Sequence, residues 1–292
     1  MGKTATTIEQ QLSLLTSRGL TIRDTDKARE ILLDIGYYRL GFYLFPFEKS
    51  YPDLHNRTHK YIEGTSFEDV VKLYYFDFDL RLLLMRYLNR IEIAFRTSLI
   101  YNLSNRHNST AIWFVSPTVV NHSYARDFES KVYTSDFKRN SVIHRHHQNN
   151  PCDRFAPAWK TLEFMTFGAV MKLYEQLKKR DDKILIAHEF GIRQVVTFES
   201  YMHTIRQVRN VCAHGLRLYD LKLPKGIRRG PAANKPAERY NLIGALRVIK
   251  YLMEQISENR ANDMSVQIHN LYEQLCSSSP NLKPLIPDFS TI

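Results

Sequence analysis

One short stretch, RNVCAHGLRL at residues 209–218, concentrates side chains that can bind phosphate and move protons. Arg209 carries a guanidinium, which binds phosphate oxygens through two parallel hydrogen bonds and stays charged at any working pH. His214 carries an imidazole, which titrates near neutral pH and can accept or donate a proton. Together these groups suit cleavage of RNA without a metal, because the 2′-hydroxyl is an internal nucleophile. Such cleavage leaves a 2′,3′-cyclic phosphate and a 5′-hydroxyl.

The helix that leads into this stretch has two faces when its residues are placed at about 100° each. One face is apolar and predicts burial. Its residues are Phe198, Tyr201, Ile205, Val208 and Cys212. The other face is polar, with Glu199, His203, Arg206, Asn210 and His214. A solvated face usually consists of Lys, Glu and Gln, whereas this one holds proton donors, proton acceptors and anion binders. The polar face is therefore the candidate site.

Arg209 and His214 do not point the same way from one straight helix, since five residues at 100° place them about 140° apart. Two arrangements bring such groups together. Gly215 can end the helix and let His214 swing towards the arginine. Alternatively, two copies of the helix face each other in a dimer. The sequence leaves both arrangements open.

The charge balance of the chain favours a polyanionic partner. Its 292 residues include 41 Lys and Arg against 30 Asp and Glu, a formal net charge of +11. Such an excess favours nucleic acid, or an anionic membrane surface, as the partner. The three cysteines lie far apart, which is typical of a reducing compartment. The N-terminus lacks an apolar leader and no stretch of 18 apolar residues occurs, so we expect a cytoplasmic protein without membrane contact.

Helical periodicity dominates the chain and predicts an all-α fold. Short helices are expected at residues 6–18, ended by Gly19, and from a cap at Asp24 to Gly36. The strongest signal covers residues 66–104, where apolar residues recur every three or four positions after a cap formed by Ser66 and Asp69. Further helices are predicted at 159–179, at 193–214 and in two closing segments.

Other segments are less regular. Residues 105–158 contain several prolines and the basic, histidine-rich run KRNSVIHRHHQNN at 138–150, which indicates a solvated or RNA-facing loop. Residues 222–240 hold six Lys and Arg and three Pro, which predicts an exposed arm. The aromatic stretch at 37–47 favours packing on the core over stacking on bases. No His, Cys and carboxylate set has the spacing of a metal site, so neither a metal nor another cofactor is expected.

The motif RNVCAHGLRLYD resembles the RN-x-CAH-x-x-RLW signature of abortive-infection proteins of the AbiD/AbiF type. The core of that family is similar to the HEPN ribonuclease domain, which is defined by an Arg-x4–6-His motif. Further segments match in the expected order, namely SRGLTI, GYYRLGFYLFPF, GTSFEDVVKLYYFDFDLRLLL, RIEIAFRTSLIYNLS and PAWKTLEFMTFGAVMKLYEQL. Two positions depart from the pattern: Gly215 stands where a second histidine is common, and Tyr219 stands where the family has Trp.

The resemblance implies roles for individual residues. Arg209 and His214 would be the catalytic pair. The supporting polar residues would be Asn210, Glu92, Arg96, Arg206 and Arg217. The basic segments would contact RNA through Lys222, Lys225, Arg228, Arg229, Lys235, Lys138, Arg139 and Arg145, and each phosphate contact adds salt dependence.

The resemblance also implies an architecture and a biological setting. A HEPN-like helical domain would cover residues 66–276, with insertions at about 105–158 and 222–240. An N-terminal helical and aromatic extension would occupy residues 1–65, and a flexible tail residues 277–292. The protein would be a homodimeric ribonuclease toxin of phage defence, restrained by a structured non-coding RNA. The alternative is a non-catalytic RNA-binding module that uses the same helix face to bind RNA or to dimerise.

Overall fold

The computed structural model describes residues 4–292, and about 65% of the chain is helical. Within residues 4–292, β-pairing is limited to isolated bridges, such as those joining Thr21 to Ser66 and Lys222 to Asn241. The prediction of an all-α fold is therefore confirmed. None of the helices in this part of the chain is long and apolar enough to cross a membrane.

The chain divides into two compact units, each assembled from separate stretches of sequence. The first unit comprises residues 4–83, His214–Leu221 and Val266–Ile292. Its helices are α1 (Ile8–Ser17), α2 (Thr25–Ile35), α3 (Tyr37–Leu44) and the first part of α4 (Phe67–Arg106). Short 3-10 helices at Phe45–Phe47 and Pro280–Leu285 also belong to it.

Local sequence signals set the ends of these helices. The Asp24 carboxylate accepts a hydrogen bond from the Lys27 amide at the start of α2, and Ser66 accepts one from the Asp69 amide at the start of α4. Both groups satisfy amides that lack a partner within the first helical turn. Gly36 ends α2 with a φ of 85°, a conformation that favours glycine. These predicted starts and stops are confirmed.

The last residues differ from the flexible tail expected of them. Leu282 and Phe289 are fully buried, and the Phe289 ring lies 5.8 Å from that of Phe76, measured between ring centroids. Lys72 donates through Nζ to the Ser279 hydroxyl at 2.8 Å. The serine- and proline-rich composition suggested a loose end, but two apolar side chains in it have places in the core of the first unit.

The second unit comprises residues 84–213 and 222–265. It contains the remainder of α4, the helices that follow it and the start of the last helix. In chain order these are α5 (His122–Lys131), α6 (Ser135–Lys138), α7 (Ser141–Asn149), α8 (Ala158–Phe164), α9 (Phe167–Glu175), α10 (Arg180–Glu189), α11 (Val195–Ala213), α12 (Leu242–Ile256) and α13 (Glu258–Ser278).

An aromatic cluster around Phe95 of α4 forms the centre of the second unit. The Phe95 ring lies 5.9 Å from Phe198 of α11, 5.7 Å from Tyr174 and 6.3 Å from Phe167, both of α9, between centroids. All four rings are buried. Edge-to-face contacts of this kind add to the stabilisation from burial alone. This cluster fixes α4 against α9 and α11, the helices that carry the candidate site.

Two segments differ from the sequence-based expectation. The histidine-rich run forms α7, because Asn140 caps the amides of Val142 and Ile143 and the Ile143 side chain is buried. The single helix expected at 159–179 is two helices, α8 and α9. Thr166 separates them, since its side chain caps the Ala169 amide.

Candidate functional site

The apolar face of α11 is buried as the sequence predicts. This is confirmed for all five residues, Phe198, Tyr201, Ile205, Val208 and Cys212. Cys212 is therefore a small core side chain, without the exposure that a reactive thiol needs. Because one face of α11 is fixed against the core, the direction of every other side chain on the helix is fixed too.

The first half of the polar face makes one ion pair and one hydrogen bond within the second unit. Glu199 lies 3.1 Å from Nζ of Lys183, and His203 lies 3.0 Å from the carboxylate of Glu175. The hydrogen bond with His203 holds the pKa of Glu175 below its ordinary value, against the opposing effect of burial. Arg206, further along the face, adds to the lowering. Glu199 and His203 are therefore engaged by side chains of α10 and α9, although both remain partly exposed.

The second half of the face carries Arg209, which lies beside Glu92 of α4. The Arg209 Nε is 3.7 Å from the second carboxylate oxygen of Glu92, an ion pair too long for a hydrogen bond. Arg96 donates to the first carboxylate oxygen at 2.9 Å. One carboxylate therefore serves two guanidinium groups. Glu92 and Arg96, which were predicted to support the catalytic pair, thus lie beside Arg209 in the second unit, and their supporting role stays a prediction.

Arg96 is anchored more firmly than Arg209. Its NH1 donates to the carbonyl oxygen of Glu163 at 2.7 Å, and its NH2 donates to that of Met165 at 3.0 Å. Its side chain is only 12% exposed, whereas that of Arg209 is 35% exposed. Arg96 thus holds Glu92 in place, and Glu92 orients Arg209. The three side chains carry a formal net charge of +1, so the cluster can attract an anion.

Asn210 and His214 are both exposed. Asn210 is the neighbour of Arg209 on α11, in the second unit. His214 follows the last residue of the helix and belongs to the first unit. α11 ends at Ala213, and Gly215, two residues further on, has a φ of 62°, so the predicted stop near this glycine is confirmed.

The segment that begins at His214 is held within the first unit by α3. Arg39 donates through NH1 to the carbonyl oxygen of Gly215 at 2.8 Å, and Arg217 donates to that of Phe42 at 3.1 Å. Arg217 also pairs with Asp220 at 2.7 Å. Arg217 was expected to support the catalytic pair, and in the structure its guanidinium anchors the segment to α3.

A buried carboxylate that the sequence did not reveal holds the same segment. Asp77 of α4 is fully buried and accepts hydrogen bonds from the amides of Leu218 and Tyr219, the latter at 2.6 Å. The Tyr43 hydroxyl donates to it at 2.7 Å, and Arg81 pairs with it through NH1. Burial raises the pKa of the Asp77 carboxyl, against the opposing effect of these donors. The sequence does contain one sign of this buried site, an Asp and an Arg four residues apart within an apolar stretch. Two such groups are buried together only when they bind each other.

The expected exposed arm is anchored, although its charges are exposed. Leu223 and Ile227 are buried, the Arg228 amide donates to the Ser200 hydroxyl of α11 at 2.9 Å, and the Ala232 amide donates to the hydroxyl of Tyr201. The segment is anchored because small and apolar residues, which pack within the second unit, lie between its cations. The side chains proposed to contact RNA remain exposed at Lys222, Lys225, Arg228, Arg229 and Lys235.

The second basic run is partly neutralised. Lys138 pairs with Glu129 at 3.1 Å, Arg139 pairs with Asp136, and Arg145 is exposed. His146 is buried, with Nε2 3.1 Å from Asp153. Throughout residues 4–292, no group of three or more His, Cys, Asp or Glu side chains is placed to hold a metal ion.

A known protein family matches most of the chain. The family model described as Abi-like protein matches residues 30–220, which include α4, α11 and the motif at 209–218. Neither the curated proteins nor the solved structures contain a match. Membership of this family suggests a role in phage defence by abortive infection. The match covers well over half of the sequence, and the chain therefore belongs to the Abi-like protein family.

Proposed function

We propose that this protein is a metal-independent endoribonuclease of the HEPN type, related to the AbiD/AbiF proteins. The observation that carries the proposal is the state of Arg209. It lies in the Arg-x4-His motif, is 35% exposed, and shares the single carboxylate of Glu92 with Arg96. A salt bridge that served stability alone would neutralise its arginine. This one leaves positive charge exposed, as binding of a phosphate requires.

The proposed reaction is attack of a ribose 2′-oxygen on the adjacent phosphorus. The new 2′-O–P bond forms as the bond from phosphorus to the 5′-oxygen breaks, which gives a 2′,3′-cyclic phosphate and a 5′-hydroxyl. One proton leaves the 2′-hydroxyl and one reaches the departing 5′-oxygen. His214 carries one of these transfers, and Arg209 stabilises the charge that develops on the phosphoryl oxygens.

The remaining residues support this chemistry in the proposal. Glu92 and Arg96 position Arg209, and Asn210 offers hydrogen bonds beside it. The exposed cations at 222–235 contact the RNA backbone. We place the HEPN-like catalytic domain at residues 66–276 and propose that the enzyme acts in the cytoplasm as a homodimer. A cognate structured RNA would restrain it until infection.

The test is an RNA cleavage assay in excess EDTA with analysis of the product ends. We expect the wild type to cut and to leave cyclic phosphates, and His214→Ala to lose cleavage by about 100-fold or more. His269→Ala is the matched control, because His269 is an exposed histidine on α13 outside the motif. Equal cleavage by the wild type and His214→Ala would refute the assignment. RNA that is bound tightly but never cut would establish the alternative, a non-catalytic RNA-binding module.

A further inference from the structure

The sequence favours core packing for the whole aromatic stretch at 37–47, but the structure confirms this for only part of α3. Tyr43 is buried beside Leu40 and Leu44, which together form the core face of the helix. Tyr38 is 83% exposed and Phe42 is 47% exposed. Their rings meet edge to face, with centroids 5.4 Å apart. Two exposed aromatic rings in contact add little to the core, and such a surface usually serves binding.

The exposed rings lie next to the segment that begins at His214. Arg39, the residue after Tyr38, donates to the Gly215 carbonyl oxygen, and the Phe42 carbonyl oxygen accepts from Arg217. Leu216, between these two anchors, is 55% exposed. All of these residues belong to the first unit. The aromatic pair is thus tied by two hydrogen bonds to the part of the family motif that contains the proposed proton-transfer residue.

The charges beside the rings favour an anionic ligand. Arg39 is exposed and uses one of its donors on a neutral carbonyl oxygen, so its positive charge stays available. Arg217 is balanced by Asp220 and serves as an anchor. An apolar protein surface would leave the Arg39 charge desolvated, whereas a nucleotide supplies both a ring for the aromatic faces and a phosphate for the guanidinium. The exposed rings together with the Arg39 charge therefore favour a nucleic acid over an apolar protein as the partner.

We propose that Tyr38 and Phe42 form a stacking platform for an unpaired RNA base, with Arg39 contacting the adjoining phosphate. The proposal rests on the proposed ribonuclease function for its placement beside the scissile position. It specifies the substrate class as RNA with unpaired bases. Bases within a duplex stack on one another and cannot lie on a protein ring.

The experiment measures binding independently of cleavage. The probe is a short 2′-O-methyl oligoadenylate with a fluorescent end, which lacks the nucleophile and stays intact. A second probe of the same length replaces the bases by abasic sites and keeps the phosphates. Fluorescence anisotropy then gives the affinity of the full-length wild type and of Tyr38→Ala/Phe42→Ala for each probe. The ratio of the two affinities isolates the contribution of the bases.

We expect the wild type to prefer the probe with bases by about 10-fold or more, and the double variant to lose most of that preference. Tyr38→Phe should retain it, since the ring remains. Leu33→Ala is the matched control, because Leu33 is a 69% exposed apolar side chain on the neighbouring helix α2. An unchanged preference in the double variant, or no preference in the wild type, would overturn the proposal.

Further results separate this proposal from its alternatives. If light scattering shows that the double variant alone loses a dimer that the wild type forms, the rings are an interface between copies and the proposal fails. If the preference for bases depends on Tyr38 and Phe42 but no RNA is cut, the platform stands and the ribonuclease function fails. If RNA is cut by the wild type and by the double variant at the same rate, the ribonuclease function stands and the platform fails.

Discussion

Two carboxylates on α4, Asp77 in the first unit and Glu92 in the second, face arginines in very different ways. Asp77 is fully buried, and its donors are Tyr43, Arg81 and the amides of Leu218 and Tyr219. Every lone pair that a buried carboxylate offers is used. Such a group fixes backbone, and its charge is not available to a ligand.

Glu92 is the less enclosed of the two. It is 12% exposed and divides its carboxylate between Arg96 and Arg209, with the second contact at 3.7 Å. Here the arginines outnumber the acid, and the looser of them is the one within the family motif. The comparison indicates that a satisfied ion pair marks a structural position, whereas an ion pair with an excess cation marks a position where a phosphate can bind.

The comparison predicts the largest loss of stability at Asp77. Asp77→Ala would leave the Arg81 guanidinium and two amides buried without partners, and should lower the free energy of unfolding by about 3–5 kcal/mol. Urea denaturation followed by circular dichroism measures this. Asp79→Ala, which removes an exposed acid two residues further along α4, should change it by less than about 0.5 kcal/mol. Similar values for both variants would contradict the structural role of Asp77.

Arg209 should show the reverse pattern. Arg209→Ala removes a long, partly exposed ion pair and leaves Glu92 paired with Arg96, so the free energy of unfolding should fall by less than about 1 kcal/mol. Cleavage should fall by about 100-fold or more, because a group that stabilises developing charge is lost. Arg209→Lys should not restore it, since an ammonium lacks the planar pair of donors. Arg260→Ala, an exposed arginine outside the site, is the control. If Arg209→Ala lowered the free energy of unfolding as much as Asp77→Ala does, the distinction between a structural and a functional ion pair would be wrong.

The sequence predicts the helical elements well and the pairing of polar groups poorly. The buried face of α11 follows from periodicity, because a single face must meet the core whichever helices form it. The partners of Glu199 and His203 do not follow from periodicity, because Lys183 and Glu175 lie on other helices. Periodicity gives the direction of a side chain on its own helix and says nothing of what it meets.

The basic arm and Asp77 illustrate the same limit. Composition shows that residues 222–240 are charged, but only the folded chain shows that Leu223 and Ile227 hold them to the second unit. Apart from Arg81, four residues away, the partners of Asp77 are distant in sequence: Tyr43 lies 34 residues before it, and Leu218 and Tyr219 lie 141 and 142 residues after it. By contrast, the association of Glu92 and Arg96 with Arg209 was predicted, through the resemblance to a family and not through spacing.

Glu92 itself gives a smaller and more diagnostic effect. Glu92→Gln removes the negative charge between the two arginines, so the site becomes more positive and RNA should bind a few-fold more tightly. The turnover number should nevertheless fall by about 10-fold, because Arg209 loses the group that orients it. Steady-state kinetics that separate kcat from KM measure both changes. Glu163→Gln removes an exposed acid from the residue whose carbonyl oxygen contacts Arg96, and should leave kcat unchanged. If Glu163→Gln also lowered kcat, the effect of Glu92→Gln would come from the change in net charge and not from the orientation of Arg209.

The smallest effect tests whether the first half of the polar face of α11 is structural, as the comparison implies. The hydrogen bond with His203 holds the pKa of Glu175 below its ordinary value of 4.5, so the stability that the Glu175 carboxylate contributes is present above that pH. It is lost as the pH falls through the lowered pKa of the folded state, because the folded carboxylate is then protonated.

Glu175→Gln should therefore lower the free energy of unfolding by about 1 kcal/mol at pH 6, and the difference from the wild type should shrink as the pH falls below 4.5. Cleavage at neutral pH should change little, since the pair lies apart from the Glu92 cluster in its contacts. Glu254→Gln, at an exposed position on α12, supplies the baseline for loss of one carboxylate. A large fall in cleavage with unchanged stability would contradict the structural role of Glu175 and His203. It would show that they act on the substrate, because loss of a purely structural contact lowers stability as well.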